Sequence, residues 1–349
     1  MGGRTMTAIA AQGAPGHVLI TGGAGYVGCA LVPRLLDSGY TVTVFDLYLF
    51  GHDVLDAVAD HPRLIQVRGD LRHPAAVEKA LAGCDSVVHL ACMSNDPSFE
   101  LDPALGKSIN YDAFRPLVQA AKRAGVKRFV YASSSSVYGI KDEPEVTEDL
   151  PLEPLTDYSR FKAMCEDILD EEREPGFVTL TIRPATVCGY SPRQRLDVIV
   201  NILTNHAIIN KKIKVFGGSQ LRPNIHIDDM ARLYETVLAL PDEMIDGEVF
   251  NAGYHNASVM EIAETVKRVV ERDNIYGGDI EFEVVPTDDE RSYKVSSEKL
   301  LVRLGFEAEG TIEDAVRDLL AAFKDGRLKN TMDDPSYFNI RTMQERGLG

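Results

Sequence analysis

Thr21-Gly22-Gly23-Ala24-Gly25-Tyr26-Val27-Gly28 is the stretch whose reading decides the fold. It lies between an apolar, β-branched run at 17–21 and an amphipathic stretch at 26–38, so its glycines fall on a strand-to-helix turn. The spacing of Gly22, Gly25 and Gly28 is GxxGxxG. A side chain on such a turn would block a pyrophosphate, while the helix N-terminus offers it free N–H groups and a positive dipole. A tight βα turn also needs glycine for steric reasons alone, so the surrounding sequence has to carry the assignment. The candidate cofactor contacts here are Gly22, Gly25, Tyr26, Val27 and Gly28.

Outward from the turn the same rhythm continues. Short β-branched runs at 41–46, 64–69, 86–90, 128–133 and 178–183 alternate with helix-like stretches, including 75–81 and 111–124. Near-continuous apolar runs suit strands buried on both faces, as in a parallel sheet. The alternation predicts an α/β fold, a Rossmann-like doubly wound parallel sheet spanning 17–188. Past Gly189 the rhythm breaks into a polar, arginine-bearing loop at 191–195 and an apolar helix at 196–209. Further strands are expected at 213–216 and 248–251, and amphipathic helices at 259–271 and 312–323, the last N-capped by Thr311. These read as a smaller mixed α/β substrate-binding domain over 189–219 and 253–324, with a return to the first domain around 220–252. Residues 1–16 read as a disordered leader and 325–349 as a C-terminal tail, docked through Tyr337 and Phe338.

Composition narrows the classes of function. A chain of 349 residues, 44% hydrophobic and 26% charged, is ordinary for a globular protein and long enough for a substantial core. A formal charge of −16 argues against nucleic acid or an anionic membrane as partner, since both reward a basic surface. It leaves room for a phosphorylated small substrate held by a few local arginines. The five cysteines form no CxxC pair or Cys/His cluster, so no metal site is expected, and scattered free thiols fit a reducing cytoplasm. No apolar run approaches the ~20 residues that span a bilayer.

Asp46 ends the second predicted strand, 24 residues after Gly22. A carboxylate there accepts both adenosine ribose hydroxyls and repels a 2′-phosphate; with no basic residue in Leu47-Tyr48-Leu49, NAD is favoured over NADP. Asp70 and Leu71, after the third strand, are placed to meet adenine, and Leu90 and Ala91 to give close-packed backbone to the cofactor. Tyr158 and Lys162, four apart, share a helical face. A tyrosine is a poor base at neutral pH; an adjacent ammonium and a nicotinamide cation would favour its phenolate, which can take a hydroxyl proton as hydride leaves. Ser133-Ser134-Ser135-Ser136 follows the fifth strand, where hydroxyls reach the crevice in which such sheets bind ligands.

Taken in order, the TGGAGYVG turn, Asp46, Gly69-Asp70-Leu71, His89-Leu90-Ala91, SSSSVYG and YSRFK resemble the extended short-chain dehydrogenase/reductase family, whose members act mostly on nucleotide sugars. The resemblance continues through Arg183-Pro184, the 222–229 segment and 291–305. It implies Tyr158 as the base, Lys162 as the residue that holds the ribose and lowers the Tyr158 pKa, and Ser134 as the active hydroxyl, three residues before Val137. It further implies Arg222 and Arg291 on the substrate diphosphate, with Ser135, Asn201 and Arg193 in the substrate segment. A homodimer is implied, through helices near 111–124 and 156–171. Departures matter too: Ser135-Ser136 stands where the family's 4,6-dehydratases carry Asp-Glu, 92–96 departs from the commoner small residues, and Cys188-Gly189-Tyr190 replaces Tyr-Gly-Pro. The reading that results is a cytoplasmic, NAD-dependent nucleotide-sugar epimerase working through a keto intermediate, most simply at C4. The alternatives are a reductase or dehydratase on the same substrates and, from another class, a non-catalytic NAD-binding protein.

Overall fold

The structure, a computed structural model, describes residues 15–94, 96–273, 278–287 and 292–347. Its strands, in chain order, are β1 (His17–Thr21), β2 (Thr41–Asp46), β3 (Leu64–Arg68), β4 (Ser86–His89), β5 (Arg128–Ala132), β6 (Val178–Pro184), β7 (Thr186–Cys188), β8 (Lys212–Phe216), β9 (Leu221–His226), β10 (Glu248–Ala252), β11 (His255–Ser258) and β12 (Glu281–Val285). Seven form one parallel sheet in the order β10-β6-β5-β4-β1-β2-β3. The chain runs outward from β1 to β3, then crosses back to β4 and proceeds the other way, so the order reverses between β1 and β4. Beyond the carboxyl ends of two such strands a crevice opens, because their connections leave to opposite faces.

Helices cover both faces. On one, α1 (Gly28–Asp37) buries Leu31 and Leu35 in a cluster with Leu233 and Val237, which lie on a later helix, Ile227–Ala239. On the other, α2 (Pro74–Leu81), α5 (Phe114–Arg123) and α6 (Asp157–Glu171) bury Leu81, Leu117, Val118, Cys165 and Leu169 against Phe45 and Phe129. Between α2 and α5 lie α3 (Asp96–Leu101) and α4 (Pro103–Lys107), and a π-helical turn, Ser108–Asp112, takes the first two residues of the helix predicted over 111–124, which α5 otherwise fills. The later helices are α7 (Ile199–Asn210), α8 (Ile227–Ala239), α9 (Asp242–Ile245), α10 (Val259–Asp273), α11 (Glu298–Leu304), α12 (Ile312–Lys324) and α13 (Asn339–Glu345).

A second core joins α7, α10 and α12 through Leu203, Val266 and Val316. Two small sheets flank it, β11-β9-β7 and β12-β8. Thr311 accepts the Asp314 N–H at 3.1 Å and the Asp314 carboxylate accepts back, a capping box that fixes the start of α12. Several strands stop short of their predicted ends: β3 at Arg68, β4 at His89 and β5 at Ala132, because the next residues turn into the crevice. α1 starts at Gly28, two residues late, since Gly25 N–H bonds back to Gly22 O at 3.0 Å in a tight turn. β9, in a segment without strand-like alternation, is held by β7 on one side and β11 on the other. Among the described residues no helix is long and apolar enough to cross a membrane, and all five cysteines are free thiols.

Candidate active site

The crevice at the β1/β4 reversal is a cleft of about 510 Å³. Gly22 leaves β1 with φ +76°, and a Cβ there would sit 2.6 Å from the Ala91 nitrogen, so glycine lets the ends of β1 and β4 pass in contact. A Cβ on Gly28 would lie 2.5 Å from Gly23 O, so glycine lets α1 seat on the turn. Cys29, Ala30 and Leu31 N–H bond back to Gly25 O and Val27 O, and the N-terminus of α1 ahead of them turns its positive dipole end to the glycine turn that lines the cleft, an arrangement that suits an anion. Gly25, Tyr26, Val27, Gly28, Leu90 and Ala91 all line this end. The Tyr26 hydroxyl donates to Gly189 O at 2.7 Å, which ties this side chain to the 189–195 loop.

Asp46 closes the same end. Its Oδ2 accepts from Ala24 N at 3.0 Å and its Oδ1 from Tyr48 N at 2.8 Å, and burial raises its carboxyl above the ordinary range. Each oxygen keeps a lone pair, so the group fits a vicinal diol while staying fixed. Asp70 also lines the cleft, but its carboxylate is taken by Arg72, with Nη2 at 2.6 Å, and that hydrogen bond holds it below the ordinary range. Its side chain is therefore engaged, and Leu71 beside it supplies apolar surface. The fit of this end to a dinucleotide rests on the α1 N-terminus, on Asp46 and on the close approach at Gly22.

At the other end α6 begins with a capping box in which Thr156 accepts from Ser159 N and Ser159 Oγ accepts from Thr156 N. The cap orients the first turn, placing part-buried Tyr158 on the cleft wall and Lys162, 4% exposed, one turn deeper. Lys162 Nζ donates to Ala132 O at 2.6 Å and lies 5.9 Å from the centroid of the Tyr158 ring. Ser134 caps a 3-10 turn, accepting from Ser136 N at 3.2 Å, and lines the cleft with Tyr158, close enough to pull the phenol's pKa down. Ser135 is buried beside Tyr293, oxygen to oxygen 3.4 Å. So Tyr158, Lys162, Ser134 and Ser135 converge as their spacing suggests.

The electrostatics differ from the expectation in one respect. Burial, then Cys92, push the Tyr158 phenol well above its ordinary range; Arg195 and Ser134 pull the other way without prevailing. Lys162 is committed to the Ala132 carbonyl, so the expected lowering by its ammonium is not seen in this state, and the phenol holds its proton. Below the site a buried Arg183–Glu166 pair, Nη2 to Oε2 2.6 Å, links β6 to α6, and Arg183 Nη1 donates to Tyr138 Oη at 2.6 Å. Glu166 also accepts from Ser133 Oγ, so this network fixes the serine turn against α6. His89, paired with Thr21 Oγ1 at 2.7 Å, is held neutral: burial and the nearby Lys162 push it down to about 3.

The predicted substrate residues divide. Arg222, on β9, lines the cleft. Arg291 lies outside the described residues. Asn201 is corrected: it is 0% exposed and does not line the cleft, its Nδ2 donating to Tyr26 Oη at 3.0 Å and Arg195 O at 2.8 Å, and its Oδ1 accepting from Gly189 N. It braces the 189–195 loop from behind. Arg193 lines the cleft, but on the side of Tyr26, Cys29 and Asp46 rather than beside Tyr158. Sequence reasoning missed Arg195, Tyr293, Asn339 and Met343, which all line the cleft. For the last two the aromatic pair Tyr337-Phe338 in a polar tail was the available signal.

Comparison with known proteins gives a consistent result. The sequence pattern of the NAD dependent epimerase/dehydratase family matches residues 18–253. The chain is 31% identical over 314 residues to dTDP-glucose 4,6-dehydratase of Streptomyces griseus, covering 87% of this chain and 93% of that one. It is 30% identical over 271 residues to UDP-glucose 4-epimerase of Lactobacillus helveticus, covering 72% and 81%. Among solved structures, dTDP-glucose 4,6-dehydratase from Streptomyces venezuelae, crystallised with NAD, is similar at a TM-score of 0.79 and 25% identity, over 89% of this chain and 98% of that one.

Proposed function

The chain belongs to the NAD dependent epimerase/dehydratase family, and from that premise we propose that it is a nucleotide-sugar epimerase that oxidises and re-reduces one sugar carbon, C4 being the simplest choice. One observation carries the choice of epimerisation: Ser135 and Ser136, neither of which can act as a carboxylic acid or carboxylate, follow Ser134 on the cleft wall. A family dehydratase needs an acid and a base at this point to expel water from the neighbouring carbons. Epimerisation needs only one proton acceptor at the reacting hydroxyl and a sugar that can turn in place.

The residues divide the work. NAD, when bound, supplies the hydride acceptor and a positive ring near the phenol; the α1 N-terminus and Asp46 would hold its diphosphate and adenosine ribose, with Leu71, Leu90 and Ala91 packing beside it and Asp70 near the adenine. Tyr158 takes the proton from the sugar hydroxyl, and Ser134 hydrogen-bonds the same oxygen and relays the proton. Lys162 must turn from Ala132 O toward the ribose and Tyr158, so that its ammonium stabilises the phenolate that burial disfavours. Arg222 and Arg291 would pair with the substrate diphosphate, an interaction suited to the planar guanidinium fork. Ser135 and Tyr293 face the sugar.

The test is to identify by mass the NAD and nucleotide sugars that co-purify, then assay UDP- and dTDP-linked hexoses. The expected product has the mass of the substrate and inverted configuration, with nicotinamide absorbance unchanged over many turnovers. Steady consumption of added NADH would make the protein a reductase, loss of one water a dehydratase, and no turnover with NAD firmly bound a non-catalytic binding protein.

A further inference from the structure

Arg193 is 3% exposed, yet its Nε has no hydrogen-bond partner, and among the described residues no carboxylate pairs with its guanidinium. Asp197 nearby is taken by Arg195. Nη2 donates only to a neutral acceptor, Asn339 Oδ1, and the guanidinium lies flat on Phe50, 3.6 Å from the ring centroid. Burial and the adjacent Arg195 both disfavour its charge. An arginine stays protonated all the same, and a buried, unpaired cation is costly unless something anionic completes it.

The position of Arg193 says which anion. Ser191 Oγ donates to Tyr26 O at 2.7 Å and Tyr26 Oη to Gly189 O at 2.7 Å, so the loop that carries Arg193 is stitched to the glycine turn. Asn339 reaches both ways: Nδ2 donates to Ser94 Oγ at 2.8 Å, and its backbone N–H to Asp197 Oδ2 at 3.1 Å. Leu196 N–H adds a bond to Tyr337 O at 2.9 Å, and Met343 packs on Met93 and Phe99. The C-terminal segment thus bridges the 193–197 loop and the β4 end of the sheet, with Asn339 and Met343 on the cleft wall.

We propose that Arg193 grips the diphosphate of NAD opposite the α1 N-terminus, rather than the nucleotide sugar, and that Asn339 holds it there so that the C-terminal segment closes over the bound cofactor. This rests on the reading that the cleft holds NAD. Two variants and two ligands separate the possibilities, with titration calorimetry of the cofactor-stripped full chain against NAD and against UDP and dTDP. Arg193→Gln should weaken NAD by roughly 10–100-fold, the worth of a charge-assisted hydrogen bond, and leave binding of the nucleoside diphosphate as in the parent. Asn339→Asp supplies Arg193 with an internal carboxylate, so NAD should bind more weakly while the cofactor-free protein melts at a higher temperature. In the parent, NAD should slow hydrogen exchange over 335–347. Arg193→Gln binding NAD like the parent, or losing UDP or dTDP instead, would overturn the proposal. If that variant does not fold, Asn339→Asp decides alone, and unchanged NAD affinity there overturns it. A parent that binds UDP or dTDP but not NAD refutes the functional reading itself, and this proposal with it.

Discussion

At Tyr158 burial and catalysis pull in opposite directions. The cleft wall that excludes water also keeps the proton on the phenol, and Ser134 alone does not offset that. Removing the phenolic oxygen should therefore cost chemistry and little else. Tyr158→Phe is expected to lower turnover by roughly 10²–10⁴ with NAD affinity and thermal stability near parental; near-parental turnover would refute the assignment. Ser134→Ala should lose less, since Ser136 Oγ lies 2.9 Å from Ser134 Oγ and a water or that hydroxyl can relay the proton. Lys162→Met should impair NAD binding as well as turnover. These residues were legible because the relation among them is local: a four-residue spacing sets a helical face whatever surrounds it. Asn201 was not legible, because the same helix offers an inner and an outer face, and only the packing of α7 under the 189–195 loop shows that Asn201 points inward to Tyr26.

At the scale of elements, the tip of β2 and the start of α1 act together. Asp46 bonds Ala24 N in the glycine turn and Tyr48 N in its own loop, so the carboxylate is preset, and with NAD held as proposed its negative charge would oppose a 2′-phosphate. The parent is expected to bind NAD well ahead of NADP, and Asp46→Ala to narrow that gap in side-by-side titrations; equal affinities in the parent would contradict it. The strands and α1 could be read in advance because periodicity and the glycine turn are properties of short windows. α13 could not. Its contacts with Ser94 and Arg193 join residues 245 and 146 positions apart, and no local pattern encodes them. β9 was likewise invisible, because its pairing with β7 and β11, not its own alternation, makes it a strand.

For the molecule as a whole, two expectations remain to be measured. One is assembly. We propose a homodimer through α5 and α6, yet none of the large exposed apolar side chains among the described residues lies on either helix. Arg115, Gln119 and Lys122 of α5 instead pair with Glu171 and Glu172 at the end of α6 within the one chain. Sedimentation should show a dimer at micromolar protein; monomer throughout would count against it. The other is the reaction. Hydride that leaves and returns at one carbon, inside one cleft and on one cofactor, makes an epimerase; hydride that returns elsewhere does not. The direct measurement follows a nucleotide sugar carrying deuterium at the carbon to be inverted. The deuterium should remain on that carbon in a product of unchanged mass and opposite configuration; deuterium on a different carbon with loss of water, or its stoichiometric appearance in released NADH, would contradict the mechanism.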